Sequence, residues 1–177
     1  EIGVRLVGSE MCIRDRTEPE KVNFFIGIQS ARSDIKGTDI MYPVLKEIQK
    51  KYPDQCRITE AIDAPYAIYQ KLMDDADVQL DQLYSYTPSM NSLLAMAKGV
   101  IVLGGGEEEN YEIINEKELR PIINVYPSEE DIFQKLEYIV LNKERIPELS
   151  AQSIEYVRKH HNYVKVAQQY VDFWEAH

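Results

Sequence analysis

TPSMNSLLAMAKGVIVLGGGEEE, Thr87 to Glu109, reads in unbroken succession as a capped helix, a buried strand and a glycine turn. Thr87 suits an N-cap and Pro88 a first helical position, where proline lacks only an N–H that would have no partner. Met90, Leu93, Leu94 and Ala97 recur at i, i+3, i+4 and i+7, which places them on one helical face. Gly99 supplies the stop. Val100 to Leu103 is a branched apolar run without polar alternation, the pattern of a parallel strand covered on both faces. Gly104, Gly105 and Gly106 then let the backbone turn sharply before Glu107, Glu108 and Glu109. A helix feeding such a strand is half of a βαβ layer, and these layers bind ligands beyond the carboxyl ends of their strands.

The same alternation extends in both directions. Upstream, strands are predicted over Val22 to Ile28, Arg57 to Ile62 and Asp77 to Gln82, with helices from Thr38 to about Tyr52 and from Pro65 through Met73. Downstream, a polar helical stretch from Tyr111 to Leu119 precedes a fifth strand, Pro121 to Tyr126. Ser128 with Asp131 three residues on resembles a capping box, and Ile132, Phe133, Leu136, Ile139 and Val140 form the buried face that follows. The rest reads as helix, with Ile154 and Val157 in one and Asn162 capping a last one that carries Val164, Ala167, Val171 and Trp174. Five strands with intervening helices predict an α/β fold, a doubly wound parallel Rossmann-like sheet with additional C-terminal helices.

Composition narrows the function. With 177 residues and a net charge of −10, the chain is sized for one core and lacks the basic stripe of a nucleic-acid binder. No apolar run approaches a bilayer-spanning length. Leu6 to Arg16, LVGSEMCIRDR, resembles the translation of a transposase adapter used in sequencing libraries, so residues 1–16 are set apart as a non-native leader and 17–177 as the domain. The other reading is a native strand from Ile2 to Val7. If the leader is foreign, Cys56 is the only native cysteine, which suits a reducing cytosol, and the gene was cut at a read boundary with its N-terminal part lost.

Chemistry concentrates in the loop after the first strand, where Arg32, Lys36 and Gly37 precede a helix start at Thr38 and Asp39. Two cations and unpaired helix amides facing one point would hold a diphosphate. The competing reading is two solvated cations, one of them paired with Asp34 or Asp39. The Gly104 to Gly106 turn lacks the spacing of a dinucleotide fingerprint and is either a ligand contact or a plain strand-to-helix turn. Glu107 to Glu109 either accept from sugar hydroxyls or simply suit a helix start. Asp81 lies where response regulators keep a phosphorylatable aspartate, but the acidic pair that would hold magnesium is missing. His160 and His161 are adjacent, which gives no i, i+4 metal pair, and they read as surface or capping residues. Trp174 and the tyrosines read as packing residues.

ARSDIKG, ADVQLDQ, LLAMAKGVIVL and the GGG with nearby glutamate, in this order from Val22 to the end, resemble the C-terminal donor-binding domain of a retaining family 4 glycosyltransferase of the GT-B fold. KHHNYVKVAQQYVDFW resembles the family's final helices, the last of which packs back toward the partner domain. The resemblance implies the C-terminal half of a GT-B enzyme with a nucleotide-sugar in the cleft between two Rossmann-like domains. Its sugar would pass, with retention, to a glycan or lipid-linked acceptor in cell-envelope or exopolysaccharide synthesis. It implies a cytoplasmic protein with no cofactor and no metal, no nucleic-acid partner, and an N-terminal acceptor domain that is missing here. Any membrane contact would be peripheral, through that missing domain. Arg32 and Lys36 match the pair that steadies the donor diphosphate, with Gly37 beside them. The helix start near Thr87 and the turn at Gly105, Gly106 and Glu107 would approach the phosphates and sugar. The positions where the family places glutamates are Leu94 and Tyr86, with Asn91 and Asp81 as substitutes, and the catalytic groups would lie upstream. The alternative implied by that departure is a non-catalytic nucleotide- or protein-binding module with a degenerate donor site.

Overall fold

The computed structural model describes residues 16–176. Most of the expected leader, residues 1–15, lies outside the described residues. Arg16 lies against the domain, its side chain 4 % exposed and paired with Asp77 at 3.0 Å.

Five parallel strands form one sheet in the order β2-β1-β3-β4-β5. They are β1 (Val22–Ile28), β2 (Cys56–Ile62), β3 (Val78–Leu80), β4 (Ile101–Gly104) and β5 (Ile123–Asn124). The helices are α1 (Ser33–Lys36), α2 (Thr38–Lys51), α3 (Tyr66–Asp74), α4 (Met90–Ala97), α5 (Glu108–Ile113), α6 (Glu129–Leu141), α7 (Ile146–His160) and α8 (Tyr163–Ala176). The expected doubly wound parallel sheet with additional C-terminal helices is therefore present. Register runs from Phe24↔Ile58 through Phe24↔Val78 and Val78↔Ile101 to Leu103↔Ile123.

Alternate residues of the central strands face two separate halves of the core, which is why those strands show no polar alternation. Phe24, Ile26, Val78, Leu80, Ile101 and Leu103 meet Met41, Leu45 and Ile48 of α2 and Ile132 and Leu136 of α6. Phe25 and Val102 face the other way, toward Met73 of α3, Leu94 to Ala97 of α4 and Tyr156 of α7.

Several boundaries move. The third and fifth strands shorten to Val78–Leu80 and Ile123–Asn124, and the helix expected over Tyr111 to Leu119 ends at Ile113. Glu116, within that stretch, is buried instead and accepts from Glu118 N–H and Leu119 N–H. α4 is capped by Ser89 rather than Thr87, because the Ser89 hydroxyl accepts from Ser92 N–H while Asp81 holds Ser89 from behind. Met90, now the first helical residue, is 62 % exposed, and Ser92 is buried with Leu94. Gly99, at φ 76, stops the helix as expected. Ser128 caps α6 and Asn162 caps α8, both as expected. No residue of α8 is buried, and Trp174 is 71 % exposed, so it is not a packing residue of this domain.

Candidate functional site

The chain leaves β1, the central strand of the first half, to build β2 on one side and then returns past it to build β3 on the other. Two loops therefore diverge at the carboxyl ends of β1 and β3, and the gap between them is the crevice where parallel sheets of this kind take ligands. A cavity of about 500 Å³ occupies that gap. Gly27, Ile28 and Gln29 line it from the end of β1 and the residue after it, Ala61, Asp63 and Ala64 from the end of β2 and the loop beyond, and Gln79, Leu80 and Asp81 from the end of β3 and the residue after it. Tyr66 and Tyr69 of α3 and Asn91 of α4 form its walls, the exposed Arg32 and half-buried Lys36 sit at its mouth, and the buried Thr38 completes the lining.

The basic loop is held in place by three contacts. Asp63 accepts from Ser30 N–H at 2.9 Å and Ser30 Oγ–H at 2.6 Å, which holds the Asp63 carboxyl below the usual carboxylate range. Asp63 adopts φ 45, a conformation uncommon for a side chain other than glycine and one that turns its carboxylate back over the neighbouring loop. Leu83 N–H donates to Lys36 C=O at 2.9 Å, and Ser33 and Thr38 share a hydroxyl contact at 2.7 Å. Gly37, at φ 75, lies so close beneath Leu83 that a Cβ would come within 2.6 Å of its Cδ1. Among the described residues neither Arg32 nor Lys36 has a carboxylate within ion-pair distance, so the expected competing pairings with Asp34 or Asp39 do not form. Two unpaired cations and the start of the 14-residue α2 thus flank one opening, an arrangement suited to a diphosphate.

The expected site residues divide between this cavity and its supports. Arg32, Lys36, Asp81 and Asn91 line it, whereas Gly37, Tyr86, Thr87, Gly105, Gly106 and Glu107 do not. Both oxygens of Asp81 accept from Ser89, N–H at 2.9 Å and Oγ–H at 2.8 Å, which binds the carboxylate to the start of α4. The glycine turn packs against the loop after β3 instead of opening toward the cavity. A Cβ on Gly105 would stand 1.9 Å from Ser85 C=O, and one on Gly106 would stand 2.6 Å from Ile122. Gly106 N–H donates to Asn124 Oδ1, and Glu107 N–H donates to Tyr86 C=O. Gly105 is thus required by close backbone approach, and Gly106 by the Ile122 side chain packed against it. Leu94, at one of the two positions noted for glutamate, is buried in the core, and Tyr86, at the other, is 52 % exposed.

Sequence reasoning did not single out Asp63, Tyr69 or Gln79. Tyr69 packs over Gly27, where a Cβ would come within 2.4 Å of its ring, and meets Phe25 edge-on at 4.9 Å. Burial, reinforced by Asp81, pushes the Tyr69 hydroxyl well up, so it stays a neutral donor. His161 is the C-cap of α7, as expected of a capping residue, its N–H donating to Val157 C=O at 2.8 Å, whereas His160 is half-buried. His160 Nε2–H donates to Glu116 Oε2 at 2.5 Å beside the Tyr156 ring, and burial, with His160 nearby, lowers the pKa of His161.

The fold and cavity define an α/β domain with a polar cleft, lined by two cations and two aspartates, at the switch point of its sheet. Residues 27–172 match the family described as glycosyl transferase-like, and the chain belongs to that family. No curated protein sequence matches it. Among solved structures it is similar to HepE from Anabaena, crystallised in complex with UDP and glucose, with a TM-score of 0.63 and 12 % identity over 89 % of this chain and 49 % of that one. TarM matches with a TM-score of 0.55 and 12 % identity over 90 % of this chain and 37 % of that one. WaaG, a glycosyltransferase involved in lipopolysaccharide biosynthesis, matches with a TM-score of 0.52 and 15 % identity over 79 % and 44 %. At these identities the likeness is one of fold, and the chain spans half the length of these proteins or less.

Proposed function

We propose that this chain is the donor-binding half of a retaining glycosyltransferase that moves a sugar from a nucleotide-sugar to a glycan or lipid-linked acceptor in cell-envelope or exopolysaccharide synthesis. The observation that carries the reading is the pair of cations, Arg32 and Lys36, that have no carboxylate partner among the described residues and sit at the mouth of the switch-point cavity beside the start of α2. Family membership and the fold shared with HepE, TarM and WaaG support it. An acceptor domain in the remainder of a longer, cytoplasmic protein completes the enzyme, and the domain by itself binds donor without transferring sugar. Among the described residues no helix is long and apolar enough to cross a membrane.

Calorimetric titration with a nucleoside diphosphate tests the reading. Replacing both Arg32 and Lys36 by alanine removes two charge-assisted contacts and is expected to weaken binding on the order of 100-fold. Equal affinity in the double variant would remove the proposed site. The burial of Leu94 and the exposure of Tyr86 favour, as the second reading, a binding module without transfer activity. Sugar transfer by the longer protein, abolished by the same double substitution, would exclude that module.

A further inference from the structure

The floor of the cavity holds a polar side chain that the described residues leave unsatisfied. Gln79 is the polar residue of β3, between Val78 and Leu80, and is in register with Phe25 of β1 and Val102 of β4. Its side chain therefore stands on the face of the sheet covered by α3 and α4. Gln79 is 1 % exposed and lines the cavity, yet its Oε1 is buried with no donor. Buried polar atoms are nearly always paired, so an orphan acceptor beside a cavity points to a group that enters that cavity.

The surroundings indicate what kind of group. Gly27, Ala61 and Ala64 leave that part of the cavity small-sided and apolar, Tyr69 adds an aromatic wall, and Asn91 contributes a second amide from α4. A sugar carries hydroxyls around its whole perimeter and needs polar partners on all sides. A nucleobase is apolar on both faces and polar along its edge, which matches an apolar slot ending in a carboxamide.

We propose that Gln79 reads the edge of the donor's nucleobase, its Oε1 accepting from a ring N–H or exocyclic amine, and so selects which base the domain binds. The proposal rests on the reading of the cavity as a nucleoside diphosphate site, with phosphates at Arg32 and Lys36. The terminal torsion of glutamine is broad, so a modest rotation turns the orphan acceptor toward a ligand. The adjacent amide N–H₂ supplies a donor beside it, which allows a two-point contact to a base presenting the complementary pair.

The test is a titration of the wild-type chain and Gln79→Met, a substitution of similar volume, with UDP, GDP, ADP, CDP and inorganic pyrophosphate. The wild type is expected to prefer one base by about tenfold or more, in the range of a good base contact. In Gln79→Met the preferred diphosphate should fall to the level of the others while pyrophosphate affinity stays unchanged. A measurement independent of the variant's folding uses the wild type and the preferred diphosphate methylated at the base's donor nitrogen, which should lose a similar factor. An unaltered preference in Gln79→Met, tolerance of the methyl group, or no base preference in the wild type would each overturn the assignment of Gln79 while leaving the phosphate site standing. If neither pyrophosphate nor any of the diphosphates binds, the donor site itself fails and the proposal falls with it.

Discussion

Gly105 shows how a single missing side chain shapes the carboxyl edge of the sheet. Its Cα lies against Ser85 so closely that a methyl group would overlap the carbonyl, and the obstacle is backbone rather than a movable side-chain end. Gly105→Ala is therefore expected to lower stability by about 2 kcal/mol, read as a fall in the thermal midpoint. A midpoint equal to wild type would show that the two loops are free to separate. Glu116 is the other residue whose role is set by burial. Lys159 above all, then His160 and two backbone amides, hold its carboxyl far below the usual range. A carboxylate depressed on folding stabilises fully above its unfolded value, near 4.3, and loses that contribution as pH falls toward the folded value. Wild type should therefore lose stability below about pH 4.5 more steeply than Glu116→Gln, and the two curves should converge in acid. Parallel curves would mean that the ion pair contributes nothing.

What was legible at this scale depended on whether a residue acts through its own chemistry or through its partner. Arg32 and Lys36 stand out as cations ahead of a helix start, and among the described residues they have no carboxylate partner at the cavity mouth. Gln79 carried a signal, a lone amide in a buried strand, that only its orphaned oxygen makes meaningful. Asp63 carried none, because its place depends on a left-handed backbone turn and on a bond to Ser30 that local pattern does not reveal.

At the level of elements, α4 and α8 show where periodicity succeeds and fails. The apolar spacing located α4, but two side chains outside that pattern, Asp81 and Ser89, fixed its first turn. Asp81→Ala removes both bonds to Ser89 and is expected to destabilise the domain by about 1 kcal/mol, a usual size for a lost helix-start contact. An unchanged urea midpoint would assign Asp81 to the ligand alone. α8 has a regular apolar stripe, yet Tyr163, Val164, Tyr170, Val171, Phe173 and Trp174 are all exposed. Periodicity reports that a helix has a face, not that this domain covers it. Deleting residues 162–177 should then shift the thermal midpoint by less than roughly 2 °C. The single tryptophan, Trp174, should be freely quenched by acrylamide in the intact chain. A large loss of stability on deletion, or a protected tryptophan, would place α8 within the core.

For the molecule as a whole, strand order was not readable from local pattern, since it depends on which strand each helix crosses to, and yet it decides where the site lies. The order β2-β1-β3-β4-β5 parts the loops after β1 and β3 and so places Arg32, Lys36, Gln79 and Asn91 around one cavity. The same order puts the glycine turn, at the end of β4, one strand away, where it supports the wall without forming it. Amide chemical-shift mapping during a titration with nucleoside diphosphate examines this arrangement directly. The largest changes should fall on Gly27 to Thr38, on Asp63 and Ala64, and on Gln79 to Asp81, with Gly104 to Gly106 changing little. Changes centred on the glycine turn, or none at the cationic loop, would contradict a donor site at the β1/β3 switch point.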